Sequence, residues 1–257
     1  MKKQSLGLKI FTTNTISFKR LRELYEKKII DYVELYIVPG VYDEASLSVL
    51  KGIPIIFHAP NLRHDFNLRD KNNVFHKSLN TIRKVSDFFG EKRIIFHPGI
   101  EKDAGDITNI IKNIKEIMRD FDLILENVPK EPSINNRKLI AAKFEEFKHV
   151  IEETGAKLCL DIGHAVYSSN YYHENPLNYT NRYLELKPYM FHLSDGDFVG
   201  LKDIHKSFFE GNFPLKKIIE ILPQDAMITL ETPKSDFINL SEDILNIKIL
   251  RKIISHL

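Results

Sequence analysis

The sequence predicts an α/β protein folded as a single (β/α)₈ barrel over residues 1–257. Eight short apolar runs recur along the 257 residues, and longer amphipathic segments separate them. Alternating strands and helices imply parallel strands joined by right-handed crossovers. Eight such units in roughly 250 residues match a closed barrel. The alternative is an open doubly wound sheet, which the lack of a G-x-G-x-x-G motif after the first run disfavours.

The strands are predicted where Ile, Leu, Val and Phe cluster in short stretches. Most of these stretches are nearly continuous in apolarity, which is typical of parallel strands buried on both faces. The eight runs cover residues 7–11, 32–38, 53–59, 93–99, 122–128, 157–163, 189–195 and 226–232.

The clearest predicted helix covers residues 72–90. Val74, Leu79 and Ile82 recur there at helical spacing, and Gly90 suits the end of the helix. The other predicted helices cover residues 17–29, 42–50, 106–120, 138–153, 178–187, 214–222 and 240–254.

Composition excludes several classes of protein. Hydrophobic residues make up 43% and charged residues 28%, as in folded domains and unlike collagen or disordered chains. The one cysteine, Cys159, excludes an intramolecular disulfide framework and is expected in the core. No apolar stretch reaches the length of about 18 residues that a membrane span needs. The N-terminal segment lacks the apolar run of a signal peptide, so we expect a cytoplasmic protein.

Residues of the types that bind metals end six of the eight runs: His58, His97, Glu126, Asp161, His192 and Glu231. Three more follow in the connecting segments, namely His164, Asp203 and His205. The carboxyl ends of the strands of a barrel surround one mouth, where active sites form. These nine side chains are therefore expected to converge.

Each of these residues alone has an ordinary structural interpretation, such as a hydrogen-bonded histidine or an aspartate that caps a helix. Together, however, four carboxylates would repel one another unless cations neutralised them. Imidazole and carboxylate ligands suit Zn²⁺, and also Mn²⁺ or Fe²⁺. Since one tetrahedral ion takes about four ligands, nine donors predict two or three ions. Clustered ions of this kind are typical of phosphoryl-transfer hydrolases.

The chain resembles the endonuclease IV branch of the xylose isomerase-like TIM barrel superfamily, also called AP endonuclease family 2. The D-x-x-H and D-x-H spacings, the latter followed by E-G-N, are the most specific part of the resemblance. The motifs that carry it are HAP (58–60), FHPG (96–99), LEN (125–127), LDIGHA (160–165), FHLSD (191–195), KDIHKSFFEGN (202–212) and LET (230–232).

The resemblance implies three zinc ions and hydrolysis of the phosphodiester bond 5′ to an abasic site in DNA. The first ion would be held by His58, His97 and Glu126. The second would share Glu126 and add Asp161, His192 and Glu231, and the third would be held by His164, Asp203 and His205. Among these residues, Glu126, Glu231 and His205 are expected to be catalytic.

Two other functions stay open. Sugar or sugar-phosphate isomerases and epimerases of the superfamily match four of the nine positions, Glu126, Asp161, His192 and Glu231, and bind one divalent ion. A metal-dependent DNA-binding module without turnover is the third possibility.

Substrate contacts are expected from Arg63 and Arg69, in a basic stretch after the third strand. Tyr171 and Tyr172, in a tyrosine-rich loop over residues 167–179, could stack on a base or a sugar. The expected partner is therefore DNA with an abasic site, or a small phosphoester or sugar, and we expect a monomer that does not bind membranes.

Overall fold

The computed structural model describes residues 4–102, 106–131 and 138–256. They form a closed barrel in which each strand pairs in parallel with the next and the eighth pairs with the first. The predicted (β/α)₈ fold is thus confirmed. The strands are β1 Ser5–Phe11, β2 Tyr32–Tyr36, β3 Ile55–His58, β4 Arg93–Phe96, β5 Asp122–Glu126, β6 Lys157–Asp161, β7 Met190–Leu193 and β8 Met227–Leu230.

Helices connect the strands around the outside. They are α1 Phe18–Glu26, α2 Glu44–Leu47, α3 Asn73–Phe89, α4 Asp106–Ile117, α5 Phe144–Thr154, α6 Ile162–Tyr171, α7 Pro176–Glu185, α8 Leu215–Ile221 and α9 Ser241–Ser255, with 3₁₀ turns at Thr15–Ser17, Ser48–Leu50 and Leu62–His64. As predicted, α3 ends at Gly90, which is left-handed with φ 66°. Within the described ranges, no helix is long and apolar enough to cross a membrane.

The start of α5 differs from the prediction, because the segment from residue 138 to 143 is not helical. Leu139 instead forms an isolated antiparallel bridge with Ile100, and Ala141 has a positive φ of 54°. The helix begins only at Phe144. The apolar residues near the barrel mouth in this segment therefore have a spacing that resembles the start of an amphipathic helix.

The predicted loop over residues 167–179 is also wrong at both ends, since α6 runs to Tyr171 and α7 begins at Pro176. Strand β6 ends at Asp161, and α6 begins at the next residue. The Asp161 carboxylate accepts a hydrogen bond from the backbone N–H of His164 at 2.7 Å, which caps the first turn of α6. Because the helix runs on to Tyr171, that tyrosine lies on a helix and not in a loop.

Two apolar layers stabilise the barrel. Side chains such as Leu8, Val33 and Phe57 belong to the large core that the strands share with the helices. A second, separate cluster fills the barrel interior and consists of Tyr32, Ile56, Ile95, Ile124, Cys159 and Met190. Alternation of side chains along each strand produces this division.

The side chains in the barrel interior change from apolar to ionisable two residues further along the strands. Positions that follow the inner apolar cluster by two residues are ionisable on six strands: Glu34, His58, His97, Glu126, Asp161 and His192. Strand register places Asp161 directly beside His192. Hence one end of the barrel interior is apolar and the other is polar.

Gly7 of β1 makes room for the Tyr32 ring inside the barrel. A Cβ atom at position 7 would collide with ring carbons of Tyr32. The ring is buried, and its hydroxyl lies 2.8 Å from the Thr229 hydroxyl. The absence of a side chain at this strand position is thus a packing requirement.

Gly7→Ala should lower the free energy of unfolding by about 1–3 kcal/mol, the usual cost of an overpacked core. In a Tyr32→Leu background the same substitution should cost much less, because the ring atoms are gone. Urea unfolding of the four proteins measures both costs. Equal costs in the two backgrounds would contradict this explanation of Gly7.

Candidate metal centre

The barrel fold brings all nine predicted ligand residues to one mouth. The ends of strands hold four of them, His58, Glu126, Asp161 and His192, while His97 directly follows β4 and Glu231 directly follows β8. His164 lies in the first turn of α6, while Asp203 and His205 lie in the segment between β7 and α8. They form three groups whose donor atoms lie within 4.8 Å of one another: His58, His97 and Glu126; Glu126, Asp161, His192 and Glu231; and His164, Asp203 and His205.

The first group is centred on one oxygen of Glu126. Glu126 Oε2 lies 3.1 Å from His58 Nε2 and 3.0 Å from His97 Nε2. The other nitrogen of His58, Nδ1, lies 2.7 Å from the carbonyl oxygen of Ala59. That carbonyl accepts the Nδ1 hydrogen, so the Nε2 lone pair faces the carboxylate.

The second group surrounds His192 Nδ1. This atom lies 3.2 Å from Glu126 Oε1, 2.8 Å from Glu231 Oε1 and 3.9 Å from Asp161 Oδ2. Glu126 therefore contributes one oxygen to each of the first two groups. A carboxylate placed in this way can bridge two ions.

Asp203 lies between two histidines in the third group. Its Oδ2 atom is 3.5 Å from His164 Nε2, and its Oδ1 atom is 3.3 Å from His205 Nε2. The Nδ1 atom of His164 lies 2.8 Å from the Asn127 carbonyl, and that of His205 lies 2.7 Å from the Glu231 carbonyl. Both rings thus turn Nε2 toward Asp203.

Asp195 fixes the segment that carries Asp203 and His205. Its carboxylate accepts backbone hydrogen bonds from Phe209 at 2.8 Å and from Phe213 at 3.0 Å. Its backbone also pairs with that of Lys206 in both directions. The segment is therefore anchored on both sides of the third group.

The electrostatics of the site call for positive charge. Burial lowers the pKa of His164, but Asp161 and Asp203 outweigh burial and raise it to about 10. Burial likewise opposes the protonated form of His205, and Asp203 raises its pKa to about 9. Without an ion, protons on these rings must balance the carboxylates.

Two buried atoms indicate where a cation fits. Glu126 Oε1 and His192 Nδ1 have no hydrogen-bond partner among the described residues, although they lie 3.2 Å apart. An unsatisfied buried acceptor is costly, and a shared cation would satisfy both atoms. The set of imidazole and carboxylate donors suits divalent transition metals.

The sequence prediction missed two charged residues that contact the cluster, Lys9 of β1 and Glu34 of β2. Glu34 is fully buried and its Oε2 atom lies 2.8 Å from His192 Nε2. Lys9 Nζ donates to Glu231 Oε1 at 2.5 Å and lies 3.4 Å from Glu34 Oε1. The signal was available: each is a charged residue inside an apolar run, where it aligns with the other across the β1–β2 pair.

The mouth of the barrel opens into a cavity of about 570 Å³. Arg63 lines it, as do His97, His164, Asp203, His205 and Glu231 of the cluster. Arg69 does not: its guanidinium group is bound to Asp70 at 2.5 Å and to Asp106 at 3.2 Å.

The two predicted tyrosines lie outside the lining of this cavity. Tyr171 and Tyr172 contact each other at the end of α6 with a ring-centroid distance of 5.1 Å. Tyr172 also packs against the large core. The cavity's aromatic wall comes instead from Phe11 and Tyr36, whose ring centroids lie 4.5 Å apart.

Comparisons with known proteins place this chain among related barrels. The family described as xylose isomerase-like TIM barrel matches residues 44–253. Endonuclease 4 from Thermus thermophilus is 24% identical over 215 residues, which cover 78% of this chain and 75% of that protein.

Solved structures share the fold at low identity. An endonuclease IV from Thermus thermophilus superposes with a TM-score of 0.70 at 18% identity, covering 98% of this chain and all of that one (100%). A D-tagatose 3-epimerase-like protein gives a TM-score of 0.67 at 18% identity, covering 98% and 99% of the two chains. A xylose isomerase domain-containing protein from Salmonella typhimurium gives 0.71 at 14% identity, covering 99% and 98%.

The raised pKa values predict how the stability of chelator-treated protein depends on pH. A histidine whose pKa is higher in the folded state stabilises the fold fully below its unfolded value of about 6.5, and that stabilisation is lost as pH rises through the folded value. With His164 at about 10 and His205 at about 9, the free energy of unfolding should fall between pH 7 and pH 10. The loss should be on the order of several kcal/mol, since one pKa unit corresponds to about 1.4 kcal/mol.

Asp203→Asn provides the control, because the amide no longer favours protonation of the two rings. Urea unfolding of both chelated proteins across this pH range should give a shallower slope for the variant. Parallel pH profiles would contradict the assigned role of Asp203.

Proposed function

The chain belongs to the family of xylose isomerase-like TIM barrels, and within it we propose a metal-dependent phosphodiester hydrolase of the endonuclease IV type, which cleaves DNA 5′ to abasic sites. The observation that carries this proposal is that nine donor residues gather into three groups, the first two of which share Glu126. One tetrahedral ion takes about four ligands, so a single-metal reaction leaves five of these residues without a role.

The ion we propose is zinc, with Mn²⁺ or Fe²⁺ as alternatives that suit the same donors. His58, His97 and Glu126 would hold the first ion and His164, Asp203 and His205 the third. The group around His192 would hold the second. Ions held there supply Lewis acidity, which favours attack on phosphorus and departure of the leaving oxygen.

The chain's own residues orient these donors before any substrate arrives. Four of the five histidines have a second partner on their other ring nitrogen: a backbone carbonyl of Ala59 for His58, of Asn127 for His164 and of Glu231 for His205, and the Glu34 carboxylate for His192. Such outer partners set the tautomer and the ring orientation. The site is therefore preorganised, and reorganisation costs little during the reaction.

Arg63 is the residue we expect to contact the DNA backbone. It is exposed, and it lines the cavity beside the cluster. Asn61 caps the 3₁₀ turn that carries it, since the Asn61 side chain accepts a hydrogen bond from the Arg63 backbone at 3.1 Å. A guanidinium group presented in this way can hold a phosphate without reading base sequence.

The similarity to endonuclease 4 from Thermus thermophilus supports the hydrolase proposal, because it extends over 78% of the chain. It does not by itself decide the substrate. Recognition of an abasic site depends on residues around the mouth, and the segments that follow β1 and β2 are short, at residues 12–17 and 37–43.

The second candidate function is a sugar or sugar-phosphate isomerase or epimerase with one divalent ion. The group of Glu126, Asp161, His192 and Glu231 alone could hold that ion. A concave cavity with an aromatic wall of Phe11 and Tyr36 would suit a sugar ring. The likeness to a D-tagatose 3-epimerase-like protein favours this candidate, with a TM-score of 0.67.

Cleavage of a duplex with one abasic site tests the proposal. Zinc-loaded protein should cut 5′ to the lesion and leave a 3′-hydroxyl, and a chelator should abolish the cut. His205→Ala should lower the rate at least about tenfold, because a lost ligand should cost no less than the 10–100-fold typical of a lost outer partner.

The matched control is His149→Ala, which removes an exposed histidine on α5 and should leave the rate unchanged. Uncut DNA with a full complement of metal would contradict the abasic-site substrate. Conversion of a ketose or aldose by the same preparation would support the isomerase instead.

A further inference from the structure

The Lys9 amine lies inside the barrel against the candidate metal centre. Its Nζ atom donates to Glu231 Oε1 at 2.5 Å and lies 3.4 Å from Glu34 Oε1. The side chain is only 13% exposed, and the exposed part faces the cavity at the barrel mouth. Lys9 is thus a cation at the floor of the cavity in which a substrate would bind.

Lys9 differs from the other cations that line this cavity. Lys234 is bound to the buried carboxylate of Asp243 at 2.6 Å, and Arg63 lies on the exposed rim. Of these three residues, Lys9 is the one in contact with a carboxylate of the cluster, Glu231. An anion that reaches the cluster would therefore meet the Lys9 amine.

The hydrogen-bonding capacity of the amine leaves room for a ligand. A lysine ammonium group carries three N–H donors. Glu231 Oε1 accepts one of them, and Glu34 Oε1, 3.4 Å away, is an ion-pair partner that accepts no hydrogen bond from the described residues. The ring of Tyr36 lies beside the group with its centroid 5.8 Å from Nζ. A donor that Glu231 does not engage is therefore available to an oxygen atom in the cavity.

The stability of the barrel does not require an ion pair of Lys9 and Glu34 at this place. The layer of the barrel interior beneath it is apolar, and a buried ion pair is often no more stabilising than apolar side chains of similar volume. Lys9 also donates a hydrogen bond to Glu231 Oε1, which lies 2.8 Å from His192 Nδ1 within the second group. An apolar residue at position 9 would leave this oxygen of Glu231 free to bind a metal ion.

Lys9 and Glu34 also matter for the balance of charge beside the metal centre. Glu34, His58 and Glu231 themselves converge, with donor atoms within 4.8 Å of one another. The Lys9 amine contacts two of these three residues, so a fixed cation already lies where they would otherwise attract one. Glu34 and Lys9 offset each other in net charge, while the Lys9 amine also engages Glu231 of the second group.

We propose that Lys9 is a catalytic residue whose free N–H donor binds an anionic oxygen of the substrate's scissile phosphate, and that Glu34 holds the amine in place. The choice of a phosphate rests on the proposed phosphodiester hydrolysis. Lys9 keeps its proton throughout and forms no covalent bond. Its contribution is a fixed positive charge beside the atom that gains negative charge.

Inorganic phosphate is the probe, and two proteins that differ only at position 9 are compared. Glu34→Gln keeps an acceptor for His192 and keeps the Lys9 amine. Adding Lys9→Met to it removes the amine when position 34 no longer carries a charge, and Glu231 keeps its contact with His192 at 2.8 Å. Calorimetry on the zinc-loaded proteins should show phosphate affinity about 10–100-fold weaker in the double variant, as expected for one hydrogen bond to a charged group.

Metal content, measured on the same samples, separates substrate contact from a structural role. Equal metal content with weaker phosphate binding supports the proposal. Equal phosphate affinity in the two proteins overturns it, and so does loss of metal from the double variant alone. Lys216→Met, which removes a lysine from the outer helix α8, controls for the change in total charge.

A second pair of variants covers the case in which Glu34→Gln fails to fold or loses metal. In the native background, Lys9→Arg keeps the positive charge and should keep most of the phosphate affinity, whereas Lys9→Met should lose it. Equal affinities for the Arg and Met variants would overturn the proposal.

The test remains independent of the cleavage assay. If the wild-type protein binds phosphate through Lys9 but leaves abasic DNA intact, the abasic substrate is wrong and the role of Lys9 stands. If it cuts abasic DNA and the Lys9 variants bind phosphate equally well, the hydrolase stands and the role of Lys9 is wrong.

Discussion

Mutual repulsion among buried carboxylates is the constraint on which this structure depends. Glu126, Asp161 and Glu231 lie within a few ångströms of His192, and Asp203 lies between two more histidines. Such a concentration of negative charge inside a barrel is unstable without cations. In the absence of metal, His164 and His205 take that role as protonated rings, because the neighbouring aspartates raise their pKa values.

The interior of the barrel is divided along the strands into an apolar layer and a polar layer. One layer, which includes Ile56, Ile95 and Ile124, is apolar and buried like an ordinary core. The next layer, two residues further along six of the strands, carries Glu34 and five of the nine donor residues. Because parallel strands in a closed barrel place corresponding residues around one axis, small changes in register would disperse the site. The rigid part of the molecule thus holds most ligands, and Asp195 anchors the segment that supplies Asp203 and His205.

Much of this arrangement could be predicted because strand ends are visible in the sequence. Each apolar run that stops at His, Asp or Glu marks both a strand end and a donor, so the fold and the ligand positions follow from one pattern. The helix boundary near residue 138 could not be predicted in the same way. Leu139 is apolar because it pairs with Ile100 at the mouth, and periodicity does not distinguish that contact from a helix face.

The prediction from the sequence missed Lys9 and Glu34 for a different reason. They lie within apolar runs, so each taken singly is an interruption of a strand pattern. Their place in the site depends on two contacts that the sequence does not show. Lys9 pairs with Glu34 across β1 and β2, and His192 on β7, 158 positions away from Glu34, contacts Glu34. Arg69 shows the reverse case, since a basic residue in a promising loop is committed to Asp70 and Asp106. Charge type is visible in a sequence, but the partner that engages the charge is not.

Anomalous X-ray diffraction at the zinc absorption edge, from crystals of zinc-loaded protein, tests the central claim most directly. We predict three peaks, one in each group, with Glu126 between the first two. A single peak among Glu126, Asp161, His192 and Glu231 would contradict the multinuclear site and favour a one-metal isomerase. No peak at any group would contradict the assignment of these residues as metal ligands.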